Sequence, residues 1–124
     1  MRTLHPERIV LVERPNGRDM LKRALEHVGF EVDVADTGED ALLITAARRP
    51  AVVISDIDLP IMNGWQLAEA LRARYGRRVR LVALTSRDEP ADRQRSEAAG
   101  FDVHLVKPAA PERVHDTIRL LLIA

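Results

Sequence analysis

The sequence of 124 residues contains no cysteine. Disulfides, thiol nucleophiles and cysteine-ligated zinc are therefore excluded. The absence also fits a reducing compartment. Net charge is missing as well, because 19 Lys and Arg balance 19 Asp and Glu. Whole-chain charge thus gives no attraction to nucleic acid or to an anionic membrane. Long apolar runs are missing too. The longest are Ile9 to Val12 and Leu120 to Ala124, far short of the roughly 20 residues a membrane-spanning helix needs. Met1 to Arg8 lack the apolar stretch of a signal peptide. No linker or low-complexity tract interrupts the chain. The expectation is a cytoplasmic protein of one domain over residues 1–124, with no nucleic-acid partner and no membrane insertion.

What is present is a globular composition, 46% hydrophobic and 31% charged. Five short apolar runs read as strands by length and β-branched content: Ile9 to Val12, Val32 to Ala35, Val52 to Ile54, Leu81 to Leu84 and Val103 to Val106. Helical patterns lie between them. Met20, Leu21, Ala24, Leu25 and Val28 share one helix face, and Leu67, Ala68, Leu71 and Tyr75 another. Ala41, Leu42, Thr45 and Ala46 form a looser stripe, and Ala91, Arg95, Ala98 and Ala99 a weak polar one. Val114, Ile118, Leu121 and Leu122 close the chain with a good stripe. Gly29, Gly76 and Gly100 stand at helix ends. Thr37 and Asn63 stand where N-caps are needed. Pro50 and Pro108 fall between elements.

Five β-α units in succession imply a parallel sheet with helices on both faces and right-handed crossovers. Runs one and three are apolar throughout, as strands buried on both faces are. Run two alternates, as an edge strand does. The fold class is therefore α/β, a doubly wound (βα)5 sheet of order 2-1-3-4-5. Such sheets bind ligands beyond the carboxyl ends of their strands. Glu13, Asp56, Thr85 and Lys107 follow runs one, three, four and five. They converge on one rim, as a phosphoryl or metal site requires, or they simply mark where strands meet solvent.

Three segments resemble the receiver domain of two-component response regulators, over essentially the whole chain. Val53-Ile-Ser-Asp-Ile-Asp-Leu-Pro-Ile-Met-Asn-Gly64 resembles the phospho-acceptor loop, D-x-x-[LM]-P-x-x-[DNS]-G. Ala83-Leu-Thr-Ser86 resembles the fourth-strand signature, and Phe101 to Pro108 the fifth. The resemblance implies a flavodoxin-like fold. It makes Asp56 the acceptor of a phosphoryl group from the phosphohistidine of a histidine kinase or histidine phosphotransfer protein. Lys107 pairs with Asp56 and the phosphoryl oxygens, and Thr85 hydrogen-bonds the phosphoryl group. The Lys107–Pro108 peptide is often cis in this family. The implied cofactor is Mg2+, held by Asp56, the Asp58 backbone carbonyl and Glu13 weakly or through water. The implied output is a switch of the face formed by helix four, strand five and helix five toward a downstream protein. No enzyme activity is implied beyond promoting the domain's own phosphorylation and dephosphorylation.

Two departures stand out. The family's second acidic residue after strand one is here Arg14, which has no lone pair to give a metal. A cation about 4 Å from the site opposes divalent binding by roughly 4 kcal/mol per unit of metal charge at a dielectric of about 20. Mg2+ is therefore expected to bind weakly or not at all. Arg14 either pairs with Asp56 in the metal's stead or points to solvent. A degenerate receiver that signals by binding alone is the alternative function. The resemblance places Asp58 and Arg87 at positions that tune dephosphorylation in that family, and a pair between them across the pocket mouth is one expectation. His104 stands where a tyrosine or phenylalanine switch is usual. It resembles a variant of receivers fused to hybrid histidine kinases, or it is an exposed histidine on an edge strand. His5, His27 and His115 read as surface residues.

Other classes find little support. There is neither a G-x-S-x-G elbow nor a G-x-x-x-x-G-K-[ST] loop, and Ser55, Ser86 and Ser96 have no evident base. Arg72, Arg74, Arg77, Arg78 and Arg80 read as a solvated basic surface. Charge on the weak fourth helix suits either a switching surface or an ordinary exposed helix.

Overall fold

The computed structural model describes residues 5–123, without the side chains at positions 5, 6, 16 and 17. The surface expectation for His5 concerns a side chain outside the described ones. Strands and helices alternate: β1 (His5–Val12), α1 (Pro15–His27), β2 (Glu31–Ala35), α2 (Gly38–Arg48), β3 (Pro50–Ser55), α3 (Gly64–Tyr75), β4 (Arg80–Thr85), α4 (Pro90–Ala99), β5 (Val103–Val106) and α5 (Pro111–Ile123). A single 3-10 turn, Gly76–Arg78, follows α3. The sheet is wholly parallel with order β2-β1-β3-β4-β5, the doubly wound flavodoxin-like order expected. No described helix is long and apolar enough to cross a membrane.

Strand composition explains the order. Every residue of β3 is buried, and Ile9 to Val12 of β1 are buried, as suits strands covered on both faces. β2 lies at an edge and leaves Glu31 exposed. Two apolar layers flank the sheet. Val10, Val12, Val53, Leu67, Leu71 and Leu81 belong to one, and Ile9, Leu11, Leu25, Ile54, Val114 and Ile118 to the other.

The helix ends follow their side chains. Thr37 accepts from the Asp40 N–H to start α2, and Asn63 forms a reciprocal capping box with Gln66 to start α3. Gly100 ends α4 at φ 114°, a backbone that side-chain-bearing residues rarely adopt. Pro50 is not between elements but opens β3 opposite His5, a position where its missing N–H costs little. The α1 stripe is narrower than its periodicity implies. Leu21 and Leu25 are buried, whereas Met20 is 73% and Val28 48% exposed. In α4 the buried residues are Ser96 and Ala99, not Ala91 and Arg95.

Candidate functional site

The pocket forms where β1, β3, β4 and β5 end. The sheet ladder carries on past the strands. The Asp56 N–H donates to the Val12 carbonyl at 3.0 Å, and the Lys107 N–H to the Thr85 carbonyl at 2.8 Å. These bonds bring Glu13, Asp56 and Lys107 together. Asp56 Oδ1 accepts from the Ile57 N–H at 2.6 Å and the Asp58 N–H at 3.3 Å. Asp56 Oδ2 accepts from Lys107 Nζ at 3.1 Å. The same ammonium pairs with Glu13, whose side chain is buried. Burial alone lowers the Lys107 pKa, but hydrogen bonds to Glu13 and Asp56 outweigh it and hold the ammonium above its ordinary value. Glu13, Arg14, Pro15, Asp56 and Lys107 line a cavity of 530 Å³.

The turn after β3 is shaped around the acceptor-like carboxylate. The Gly64 N–H donates to the Ile57 carbonyl at 2.8 Å. A Cβ on Gly64 would strike the Asp56 carbonyl oxygen and lie 2.8 Å from Ile57 Cα. Only glycine lets α3 begin this close to Asp56. On the other side, Arg18 donates to the Glu13 carbonyl at 3.1 Å and pairs with Asp36, which ties the β1–α1 turn to the end of β2.

Arg14 is exposed, as the solvent placement had it, yet it is not without a partner. Its Nη2 donates to the Asp58 backbone carbonyl at 3.1 Å, and no pair with Asp56 forms. The expected Arg87–Asp58 pair is present, with Arg87 Nη2 and Nε at 2.8 and 2.9 Å from Asp58 Oδ1. Arg87 also reaches Asp92 at 3.3 Å. Hydrogen bonding to Asp58, partly offset by desolvation, raises the Arg87 pKa further above its ordinary range.

These contacts decide how well the donors fit a divalent metal. Mg2+ needs near-octahedral oxygen donors, several of them water. The Glu13 carboxylate is engaged by Lys107, the Asp58 carbonyl by Arg14, and the Asp58 carboxylate by Arg87. Among the described residues, no group of three or more His, Cys, Asp and Glu side chains could hold a metal ion. The residues present do not fit a resident divalent ion.

Thr85 is fully buried. Its Oγ1 accepts from the Arg87 N–H at 3.2 Å, which leaves its own O–H to donate. His104 is half-buried rather than exposed. Its Nε2 lies 2.8 Å from the Arg87 carbonyl and its Nδ1 2.8 Å from Ser96 Oγ. A carbonyl only accepts, so the proton sits on Nε2. In that tautomer Nδ1 is an acceptor, so Ser96 Oγ, which accepts from Trp65 Nε1 at 3.0 Å, gives its proton to His104 Nδ1. The Arg95 and Arg87 guanidiniums cover the Trp65 ring at 4.1 and 5.3 Å from its centroid. This relay was missed in the sequence. The available signal was small: a single tryptophan directly after Gly64 and a serine eight residues before His104. Ser96 thus has a histidine partner, but its hydroxyl is enclosed and His104 is oriented by a carbonyl, not a carboxylate. That is a structural lock, not an activated nucleophile.

Two other surface readings change. Arg72 is not a solvated charge. Its guanidinium donates to the carbonyls of Gly100, Gly76 and Val79 at 2.8, 2.7 and 2.5 Å, and to Asp102 at 2.7 Å. His115 is half-buried with its ring edge-on to Phe30, whereas His27 is exposed as expected.

A parallel 2-1-3-4-5 sheet with an aspartate, a buried threonine and a lysine at its carboxyl rim defines a class of signalling domain. Residues 9–119 match the family model described as "Response regulator receiver domain". The chain belongs to that family. It is 34% identical over 118 residues to the response regulator MprA of Mycolicibacterium vanbaalenii, covering 94% of this chain and 51% of that one. The chain thus spans about half the length of the curated relatives it matches. Among solved structures it resembles the receiver domain of a sensor histidine kinase from Pseudomonas aeruginosa, with 26% identity, a TM-score of 0.86 and coverage of 95% and 98%. That domain holds a magnesium ion in its active-site cleft. It also resembles the receiver domain of a signal transduction histidine kinase from Syntrophus aciditrophicus, with 28% identity, a TM-score of 0.85 and coverage of 94% and 90%.

Proposed function

We infer that this chain is a phosphorelay receiver that takes a phosphoryl group on Asp56 from a phosphohistidine donor. The donor is a histidine kinase or a histidine phosphotransfer protein. The observation that carries the reading is the Asp56 carboxylate itself. One oxygen is oriented by two backbone N–H groups and the other faces Lys107. A carboxylate approaching phosphorus meets charge repulsion, so the reaction depends on positioning and on nearby cations. Lys107 supplies one such cation, and the free Thr85 O–H supplies a donor to the arriving phosphoryl group.

The same hydroxyl accepts from the Arg87 N–H, and the Arg87 carbonyl holds His104. A shift of Thr85 toward phosphate therefore pulls on the β4–α4 turn and on His104. That coupling supports a switching face made by α4, β5 and α5, read by a downstream protein. The chain is regulatory, acts at most on its own acyl phosphate, and works in the cytoplasm as one receiver domain over residues 1–124.

A second reading is favoured by one observation. The Arg14 bond to the Asp58 carbonyl suits a degenerate receiver that signals by binding without phosphorylation. Intact-protein mass after incubation with a small phosphoryl donor, run beside Asp56→Asn, separates the two. A single phosphoryl gain in the parent alone supports the first reading. No gain in the parent, with gain in Arg14→Asp, supports the second.

A further inference from the structure

Arg14 stands in an unfavourable position for a cation. It is the N-cap of α1, its side chain makes no capping bond, and a positive charge there opposes the helix dipole. Asparagine, aspartate or serine would stabilise the helix start better. Its only partner among the described residues is the Asp58 carbonyl, so most of its five N–H donors remain available. The cavity it lines also presents Asp56 and Lys107. The local charges cancel: Glu13 and Asp56 are opposed by Lys107 and Arg14. No net negative charge is left to draw in a divalent ion.

We propose that the Arg14 guanidinium serves as the pocket's second cation in a divalent metal's stead, so that phosphoryl oxygens brought to Asp56 are held by Arg14 and Lys107 without metal. The proposal rests on the acceptor reading of Asp56. The planar guanidinium fork matches phosphoryl oxygens in geometry as well as charge. In the transfer, an Asp56 carboxylate oxygen bonds to phosphorus as the P–N bond of a phosphoramidate breaks. The nitrogen, already protonated in the zwitterionic donor, leaves with the bond's electron pair as ammonia. Arg14 and Lys107 carry the charge that gathers on the phosphoryl oxygens.

The test incubates the parent, Arg14→Asp, Arg14→Ala and Asp56→Asn with phosphoramidate, in EDTA or in Mg2+, and follows intact mass. Mn2+ binding, read by electron paramagnetic resonance, is measured on the same proteins. The expected result is labelling of the parent at rates within about twofold in EDTA and in Mg2+. Arg14→Ala should label at least about tenfold more slowly in both. Arg14→Asp should label only with Mg2+ and bind Mn2+ at least about tenfold more tightly than the parent. Labelling of the parent only with Mg2+, or equal Mn2+ binding by parent and Arg14→Asp, overturns the proposal. A parent that stays unlabelled while Arg14→Asp labels with Mg2+ also overturns it and favours the degenerate reading, whereas labelling of the parent only with Mg2+ leaves Asp56 as acceptor. Failure of parent, Arg14→Ala and Arg14→Asp in both conditions removes the acceptor reading as well.

Discussion

Arg87 reaches across the mouth of the pocket to Asp58, with Nη2 and Nε lying 2.8 and 2.9 Å from the same carboxylate oxygen. The pair joins the turn after β3 to the turn after β4. Both side chains are well exposed, at 41% and 45%. Exposed pairs of this kind contribute about 0.2–1 kcal/mol. A double-mutant cycle of Arg87→Ala and Asp58→Ala, read by urea unfolding, should give a coupling below about 1 kcal/mol that shrinks in high salt. A salt-independent coupling of about 3 kcal/mol would mean that the pair is buried in solution.

The Trp65–Ser96–His104 relay makes a larger prediction. Ser96→Ala leaves the Trp65 N–H and the His104 Nδ1 without their partner in an enclosed setting. The cost should be about 2 kcal/mol, measured by urea unfolding followed through Trp65, the only tryptophan in the chain. Nitrogen NMR of the imidazole should find the Nε2–H tautomer in the parent. A mixture of tautomers would contradict the relay.

Arg72 holds the far end of α3 to the start of β5. Arg72→Met should destabilise by about 2 kcal/mol, because three backbone carbonyls lose their donor and a carboxylate only 13% exposed keeps just Arg77 and the Leu81 N–H as partners. Asp102→Asn keeps an acceptor for the Leu81 N–H and should cost less. An Arg72→Met protein as stable as the parent would return Arg72 to the solvated surface.

Lys107 carries a pH dependence with a definite sign. Burial works against its charge, but Glu13 and Asp56 prevail and raise it above its ordinary value of 10.5. A group raised on folding contributes stability that is fully present below its unfolded value. That contribution is lost as pH rises through the folded value. Stability from this cluster should therefore hold up to about pH 10 and fall above it. Lys22 and Lys107 are the only lysines, so labelled lysine resolves each. A Lys107 midpoint at or below its ordinary value contradicts the cluster geometry.

The sheet was legible because its signals are local. β-branched runs, the caps Thr37 and Asn63, and glycines at helix ends each lie within a few residues of the feature they specify. The rim of Glu13, Asp56, Thr85 and Lys107 followed from the order of the sheet. Side-chain partners were less legible where they depend on distant pairing. The Arg72 partners Gly100 and Asp102 lie 28 and 30 residues away, so a run of arginines read as surface. His104 read equally well as exposed because Ser96 lies on a helix whose weak periodicity pointed to Ala91 and Arg95. Periodicity also overstated α1, where Met20 and Val28 face outward. Arg14 was legible as an anomaly, but its carbonyl partner was not. That depended on the path of the turn after Asp56.

The central claim is that Asp56 accepts a phosphoryl group. Intact-protein mass after exposure to phosphoramidate, with Asp56→Asn in parallel, tests it most directly. The account predicts a gain of one phosphoryl group in the parent and none in Asp56→Asn. An equal gain in both proteins, or none in the parent with Mg2+ supplied, contradicts it.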